Sequence, residues 1–190
     1  MPEDKVVHIP HFIDTSSWTP AFGAGNYALY VGRLSSEKGV DTLIRAAAQV
    51  PDVPVRIVGT GPEEEKLHAL VEELGATNVQ FAGFKDGDSL RAEYAGARFV
   101  VVPSVWYEVF GLIVLEAYAA GKPVIVSQMG GLPELVIEKE TGVFTSAGKP
   151  GELAERMHDL WTHPDMCVAM GEAAREYVEL DYSPERYYGL

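Results

Sequence analysis

Four charged side chains fall into two pairs. Arg33 and Lys38 lie in GRLSSEKG, and Glu108 and Glu116 lie in EVFGLIVLEAYAAGKPVIV with seven residues between them. Arginine grips phosphate oxygens with a planar fork, and lysine adds a point charge. Gly32, just ahead of Arg33, lets backbone come close to a ligand. Glu116 stands in a run that is otherwise almost wholly apolar, where a lone carboxylate is costly unless donors meet it. Adjacent hydroxyls of a polyhydroxylated ligand are such donors. A helix starting at about Phe110 leaves the N–H groups of Phe110, Gly111 and Leu112 without intrahelical partners, and the helix dipole makes that end an anion site. Gly111 keeps side chains clear of it. The set suits a ligand with hydroxyls at both ends and phosphate between: ribose, diphosphate, sugar. Each piece also has a plainer reading. The octapeptide serves equally as a solvated turn, and the two glutamates as helix-entrance acids, one of them ion-paired.

These residues need elements to position them. Continuous apolar runs at residues 27–32, 53–59, 78–83, 98–104, 122–127 and 141–145 read as strands. Amphipathic stretches at 40–50, 62–75 and 88–97 read as helices. So do the run from Phe110 and two segments after residue 149. In 62–75, acids follow the opening proline and Gly75 closes the run, the polarity expected of a helix. Strands alternating with helices predict an α/β fold: a doubly wound, Rossmann-like parallel sheet that binds ligands at the carboxyl ends of its strands.

The remaining strand-end loops are less decisive. GTGPEEE has Gly59 and Gly61, but Glu64 replaces the third glycine of a dinucleotide fingerprint, so a tight turn is expected there. Phe84 and Lys85 could contact a base or be plain loop residues. Gly130 and Gly131, before Pro133 and Glu134, suggest either close backbone approach or a flexible turn with capping chemistry. The histidines, His8, His11, His68, His158 and His163, show no metal spacing.

Composition bounds the function. The chain has 190 residues, 47% of them hydrophobic, and a formal net charge of -13. That is enough for one domain, residues 1–190, burying about 70% of its unfolded surface. The acidic balance disfavours nucleic acid and anionic membranes. The one cysteine, Cys167, has no disulfide partner within the chain and reads as a packed thiol in a reducing compartment. Neither a signal peptide nor a transmembrane segment is expected, so the reading is a soluble, cytoplasmic protein. The first twenty residues form no strand–helix unit and YSPERYYGL begins a piece that stops, so the chain reads as a domain excised from a longer one.

The pieces VGRLSSEKG, IVGTGPEEEKL, VQFAGF, PSVWYEVFGLIVLEAYAAGKPVIVSQMGGLPELV and TGVF, in that order, cover about residues 9 to 180. In them the chain resembles the C-terminal, donor-binding domain of retaining GT-B glycosyltransferases, in particular glycosyltransferase family 4. The resemblance implies half of a GT-B fold that binds a nucleotide-diphosphate sugar. It implies that Arg33 and Lys38 hold the diphosphate, that Glu108 contacts the transferred sugar as the catalytic residue, and that Phe110, Gly111 and Leu112 offer backbone near sugar and phosphate. Glu116 would bind the ribose hydroxyls, and Phe84 and Lys85 would lie at the base. It further implies hexosyl-type transfer with retention through a front-face, oxocarbenium-like step, with no cofactor and no bound metal. The acceptor would be held mainly by an N-terminal domain absent from this chain, so the isolated domain is expected to be inactive. His11 and Phe12 stand where the family usually has Asn and Gly, and Arg98 where Asp is common. Two other readings are a non-catalytic nucleotide-binding or regulatory module and a nicotinamide-dependent oxidoreductase. The broken glycine fingerprint argues against the second.

Overall fold

Runs of Val, Ile, Leu and Phe this continuous cannot leave a sheet face in water. In the computed structural model, which describes residues 11–23 and 25–189, they form β1 (Tyr27–Val31), β2 (Val55–Val58), β3 (Val79–Gly83), β4 (Ala97–Val102), β5 (Val124–Ser127) and β6 (Gly142–Thr145). The strands are all parallel, in the order β3-β2-β1-β4-β5-β6. Helices α1 (Val40–Ala47), α2 (Glu64–Leu74), α3 (Gly87–Gly96) and α4 (Leu112–Ala119) follow the first four strands in turn. A 3-10 turn, Leu132–Leu135, links β5 to β6, and α5 (Pro150–Thr162), α6 (Pro164–Asp181) and α7 (Pro184–Tyr188) come last. The opening ten residues, with His8 and the reading of that stretch as no signal peptide, lie outside the described residues. No helix among the described residues is long and apolar enough to cross a membrane.

The period-two alternation of strand residues divides the core between the two faces. Phe99 and Val101 of β4 join Leu43 and Ile44 of α1 and Met157 of α5. Val100 and Val102 point the other way, to Val114, Leu115 and Tyr118 of α4 and Val178 of α6. Filling a site like that of fully buried Phe99 stabilises strongly: Phe99→Ala should cost about 3–5 kcal/mol. Helix α4 lies between the sheet and α6, so nearly its whole circumference is buried; only Leu112, Ile113 and Glu116 are not.

Below the amino ends of the strands, three cations tie down Thr15, Trp18, Ala21 and Gly25. Arg175 donates to the carbonyls of Thr15 (3.2 Å), Trp18 (3.3 Å) and Ala119. Lys122, only 1% exposed, donates to the Ala21 carbonyl, and burial pushes its amine down to about 8. Arg98 donates to the carbonyls of Gly25 (3.1 Å) and Trp161 (2.5 Å), and its guanidinium lies 3.7 Å from the Trp161 ring centroid. The arginine found where the resemblance suggests aspartate is therefore a structural tie. The strand order reverses between β1 and β4, which opens a crevice at their carboxyl ends, the usual ligand site of an open α/β sheet.

Candidate functional site

Two loops meet at that crevice, residues 32–39 after β1 and 103–111 after β4. The Val105 N–H donates to the Glu37 carbonyl at 2.9 Å, and Lys38 Nζ donates to Glu108 Oε1 at 2.6 Å. Ser104 Oγ donates to the same Glu108 oxygen at 2.7 Å, while Ser127 Oγ donates to the Ser104 carbonyl at 2.5 Å and so ties in the end of β5. Both donors thus take Oε1, and Oε2 of Glu108 has no hydrogen-bond partner among the described residues. The loop after β5 closes on Glu108 from the other side, with Gly131 N–H donating to the Glu108 carbonyl at 2.8 Å. A Cβ at Gly130 would fall 2.4 Å from the Glu108 carbonyl oxygen and 2.6 Å from its nitrogen, so only glycine fits. The close approach expected of Gly130 and Gly131 is therefore to the backbone that carries Glu108.

Beside this pair lies a cavity of about 560 Å³ at the ends of β1, β2 and β3, bordered by α4. Gly32, Arg33, Phe84, Lys85 and Glu116 all line it, brought together from two loops and one helix. The Tyr30 hydroxyl donates to the Arg33 carbonyl at 2.9 Å, which fixes the loop, and the Arg33 side chain makes no salt bridge among the described residues. Glu116 Oε2 accepts from the Tyr94 hydroxyl at 2.7 Å. Burial pushes the Glu116 carboxyl above its ordinary 4.5, and the Tyr94 bond opposes that rise. Phe84 is 69% exposed, an apolar ring left on the cavity rim.

Some expected positions differ. Lys38 and Glu108 do not line the cavity; they face each other next to it. Helix α4 begins at Leu112, two residues after the expected start at about Phe110, because Gly111 is left-handed (φ 90°) and caps the helix instead of joining it. The N–H groups of Leu112 and Ile113 therefore open the helix without an acceptor among the described residues, while Val114 already donates to the Gly111 carbonyl at 2.9 Å. Phe110 presents only backbone towards the crevice, since its ring packs on His11 (4.9 Å) and Tyr182 (6.1 Å). The expected tight turn follows Gly61, whose carbonyl accepts from the Glu64 N–H at 3.2 Å; Gly59, Thr60 and Gly61 line the cavity, and the Leu34 N–H of the neighbouring loop donates to the Thr60 carbonyl at 3.0 Å.

The sequence reading missed several residues: Thr60, Leu90 and Ile113 on the cavity wall, and Tyr94 and Ser104 behind the two carboxylates. Leu90 and Tyr94 share a face of α3 four residues apart, and that phase was the one signal available. Among the described residues no group of three or more His, Cys, Asp and Glu side chains is placed to hold a metal. His68 packs on Phe81 (4.0 Å), and buried Cys167 donates to the Leu160 carbonyl, with burial pushing its thiol up to about 11.

A doubly wound sheet with a cavity at its order reversal defines a Rossmann-like domain, here one half of a GT-B fold. The model for glycosyl transferases group 1 matches residues 15–177, and the chain belongs to that family. It is 41% identical over 130 residues to the uncharacterized glycosyltransferase MJ1607 of Methanocaldococcus jannaschii, covering 66% of this chain and 33% of that protein. It is 35% identical over 161 residues to the D-inositol 3-phosphate glycosyltransferase of Corynebacterium aurimucosum, covering 79% of this chain and 38% of that protein. Among solved structures, Anabaena Alr3699/HepE in complex with UDP and glucose superposes with a TM-score of 0.84 at 26% identity, covering 92% of this chain and 52% of HepE. The chain thus spans between about a third and a half of the length of these relatives.

Proposed function

We propose that this chain is the donor half of a retaining hexosyltransferase and that the crevice between β1 and β4 takes a nucleotide-diphosphate sugar. One observation carries the reading: Gly32, Arg33, Phe84, Lys85 and Glu116, remote in sequence, line a single cavity of about 560 Å³. That volume lies within the roughly 300–1,000 Å³ usual for small-molecule sites. Its contents are graded as the ligand requires. An exposed ring and a cation stand at one end for the base, a half-buried carboxylate for ribose hydroxyls, and Arg33 for phosphate. The family relationship supports it, and so does the UDP and glucose bound by HepE.

Lys38 is engaged by Glu108, which at first sight removes it as a phosphate ligand. Charge decides otherwise. The pair is part-buried, 25% and 19% exposed, and its 2.6 Å bond is of the same charge-assisted kind that a phosphate oxygen offers, about 1.5–3 kcal/mol each. A diphosphate, however, brings two or more negative charges where Glu108 brings one. The ligand can draw Lys38 across, leaving Glu108 held by Ser104 and free to face the sugar. In the transfer step the bond from the anomeric carbon to the diphosphate oxygen breaks and its electron pair leaves with the diphosphate. The acceptor oxygen bonds to that carbon on the same face, and its proton passes to the leaving phosphate. Arg33, Lys38 and the amides of Leu112 and Ile113 stabilise the departing charge, an electrostatic strategy that asks for no metal or cofactor. The acceptor, held mainly by an N-terminal domain, completes the cleft, so the isolated chain binds donor but transfers little. The acidic balance gives no footing for nucleic acid as a partner. A buried, unpaired Cys167 fits a cytoplasmic setting.

Calorimetry of the 190-residue chain with UDP, GDP and ADP tests the reading, with a reduced nicotinamide dinucleotide as the contrasting ligand. One of the diphosphates should bind, and Glu116→Ala and Arg33→Ala should weaken it. Unchanged affinity in both variants, or binding of the nicotinamide dinucleotide alone, removes the assignment.

A further inference from the structure

The carboxylate in the cavity is held from behind by a residue that no role above uses. Tyr94 lies near the end of α3, fully buried, with its ring edge-on to Trp18 at 5.4 Å and 77°. Its hydroxyl donates to Glu116 Oε2 at 2.7 Å, and among the described residues no other side chain donates to that carboxylate. Glu116 Oε1 has no partner there and is not among the buried polar atoms left unsatisfied, so it stays accessible from the cavity side. We propose that Tyr94 is a positioning residue for donor binding: its hydroxyl occupies one oxygen of Glu116 and thereby aims the other at the ribose hydroxyls. The inference rests on the nucleotide-sugar reading and adds a specific residue to it.

The physical case starts from freedom of rotation. The terminal torsion of a glutamate is broad, so a carboxylate on α4 without a second anchor would sample many orientations. Tyr94 has few torsions, and its ring is wedged between Trp18 and the α4 side of the core, so its oxygen is a fixed point. The bond runs from α3 to α4 and locks the carboxylate plane relative to the cavity wall that Leu90 and Ile113 share. Burial and the neighbouring Glu116 charge push the phenol well above its ordinary 10.0, so it remains a donor at any working pH. The plainer alternative is that a buried tyrosine hydroxyl has merely found an acceptor, as such groups usually do. The two differ in what the ribose feels.

The test uses the tightest-binding nucleoside diphosphate of the UDP, GDP and ADP series and its 2′,3′-dideoxy counterpart. Both are titrated into wild type, Tyr94→Phe, Glu116→Gln and the double variant, with thermal melting as the folding check. Wild type should prefer the ribose form. Tyr94→Phe should lose about five- to tenfold in affinity for that form, the scale of one ordinary net hydrogen bond, and little for the dideoxy form. In the Glu116→Gln background, adding Tyr94→Phe should change nothing further. A folded Tyr94→Phe that keeps the full ribose preference, or weakens both ligands equally, overturns the positioning role and leaves the nucleotide site standing. A wild type that binds without regard to ribose hydroxyls sinks the Glu116 assignment and the Tyr94 role with it. A wild-type crystal with the nucleotide bound gives an answer that needs no variant. Oε2 should stay on Tyr94 while Oε1 meets the ribose, and a Glu116 turned away from Tyr94 refutes the inference.

Discussion

The amino and carboxyl edges of the sheet use charge in opposite ways. At the amino edge, Arg98, Lys122 and Arg175 are spent on backbone carbonyls of the chain itself. At the carboxyl edge, Glu108 and Glu116 each have one oxygen taken by an internal hydroxyl and the other without a partner among the described residues. Arg33 lines a cavity and makes no salt bridge among the described residues. Groups at the first edge are satisfied and gain nothing from a ligand. Those at the second have been oriented but left incomplete, at a cost that a ligand can offset. The contrast separates charges that hold the fold from charges that wait for something.

The largest effect should come from breaking the amino edge. Arg175→Ala deprives three backbone carbonyls of their donor and should cost about 3 kcal/mol, or roughly 6–12 °C in melting temperature. Nucleoside diphosphate affinity, measured well below that temperature, should stay within about twofold. If stability and affinity fall together, the two edges are not separate in function. The next effect reverses the pattern. Arg33→Ala should reduce diphosphate affinity by about ten- to thirtyfold, the value of one charge-assisted contact, while the melting temperature moves by less than about 2 °C. The bare nucleoside should bind the variant as it binds wild type. Calorimetry with both ligands reads the split, and an equal loss for both would move Arg33 off the phosphate.

The two edges were not equally legible from the sequence. All six strands and the order of helices follow from continuous apolar runs and their breaks, and the strand-end loops with Arg33, Phe84, Lys85, Glu108 and Glu116 were found because their residue types are unusual for their surroundings. The start of α4 was misplaced because the chain path there is set by a left-handed backbone angle at Gly111, which the residue permits without announcing. The Lys38–Glu108 pair joins positions 70 apart in sequence, and no local pattern encodes that contact. Tyr94 looked like any aromatic on an amphipathic helix until its partner was known. The amino-edge ties were the least readable: a sequence shows a lysine or arginine but not which carbonyl lies before it. Arg98 shows the difficulty, since it could be noted as unusual without its partners Gly25 and Trp161 being foreseeable.

The smallest effects sharpen the comparison most, because they arise from a single proton. The Glu116 carboxyl is raised by burial, so the folded chain holds its charged form at a cost. A carboxyl raised in the folded state contributes stability that is fully present below its unfolded value and is lost as pH rises through the folded value. Above that folded value the contribution is lost, and there Glu116→Gln, which removes the charge and keeps an oxygen for Tyr94, should raise the melting temperature by about 2–4 °C. Binding runs the other way. The ribose hydroxyls need a carboxylate acceptor, so affinity should fall on acidification, beginning above the ordinary 4.5 of a glutamate. Isothermal titration from about pH 7.5 down to about pH 5 with the same diphosphate reads this. Wild-type affinity should decline across that interval relative to Glu116→Gln, whose own profile should carry only the titration of the phosphate. Parallel profiles for the two proteins would mean that the carboxylate, though placed in the cavity wall, does not touch the ligand, and that the carboxyl edge owes its incompleteness to something other than ribose.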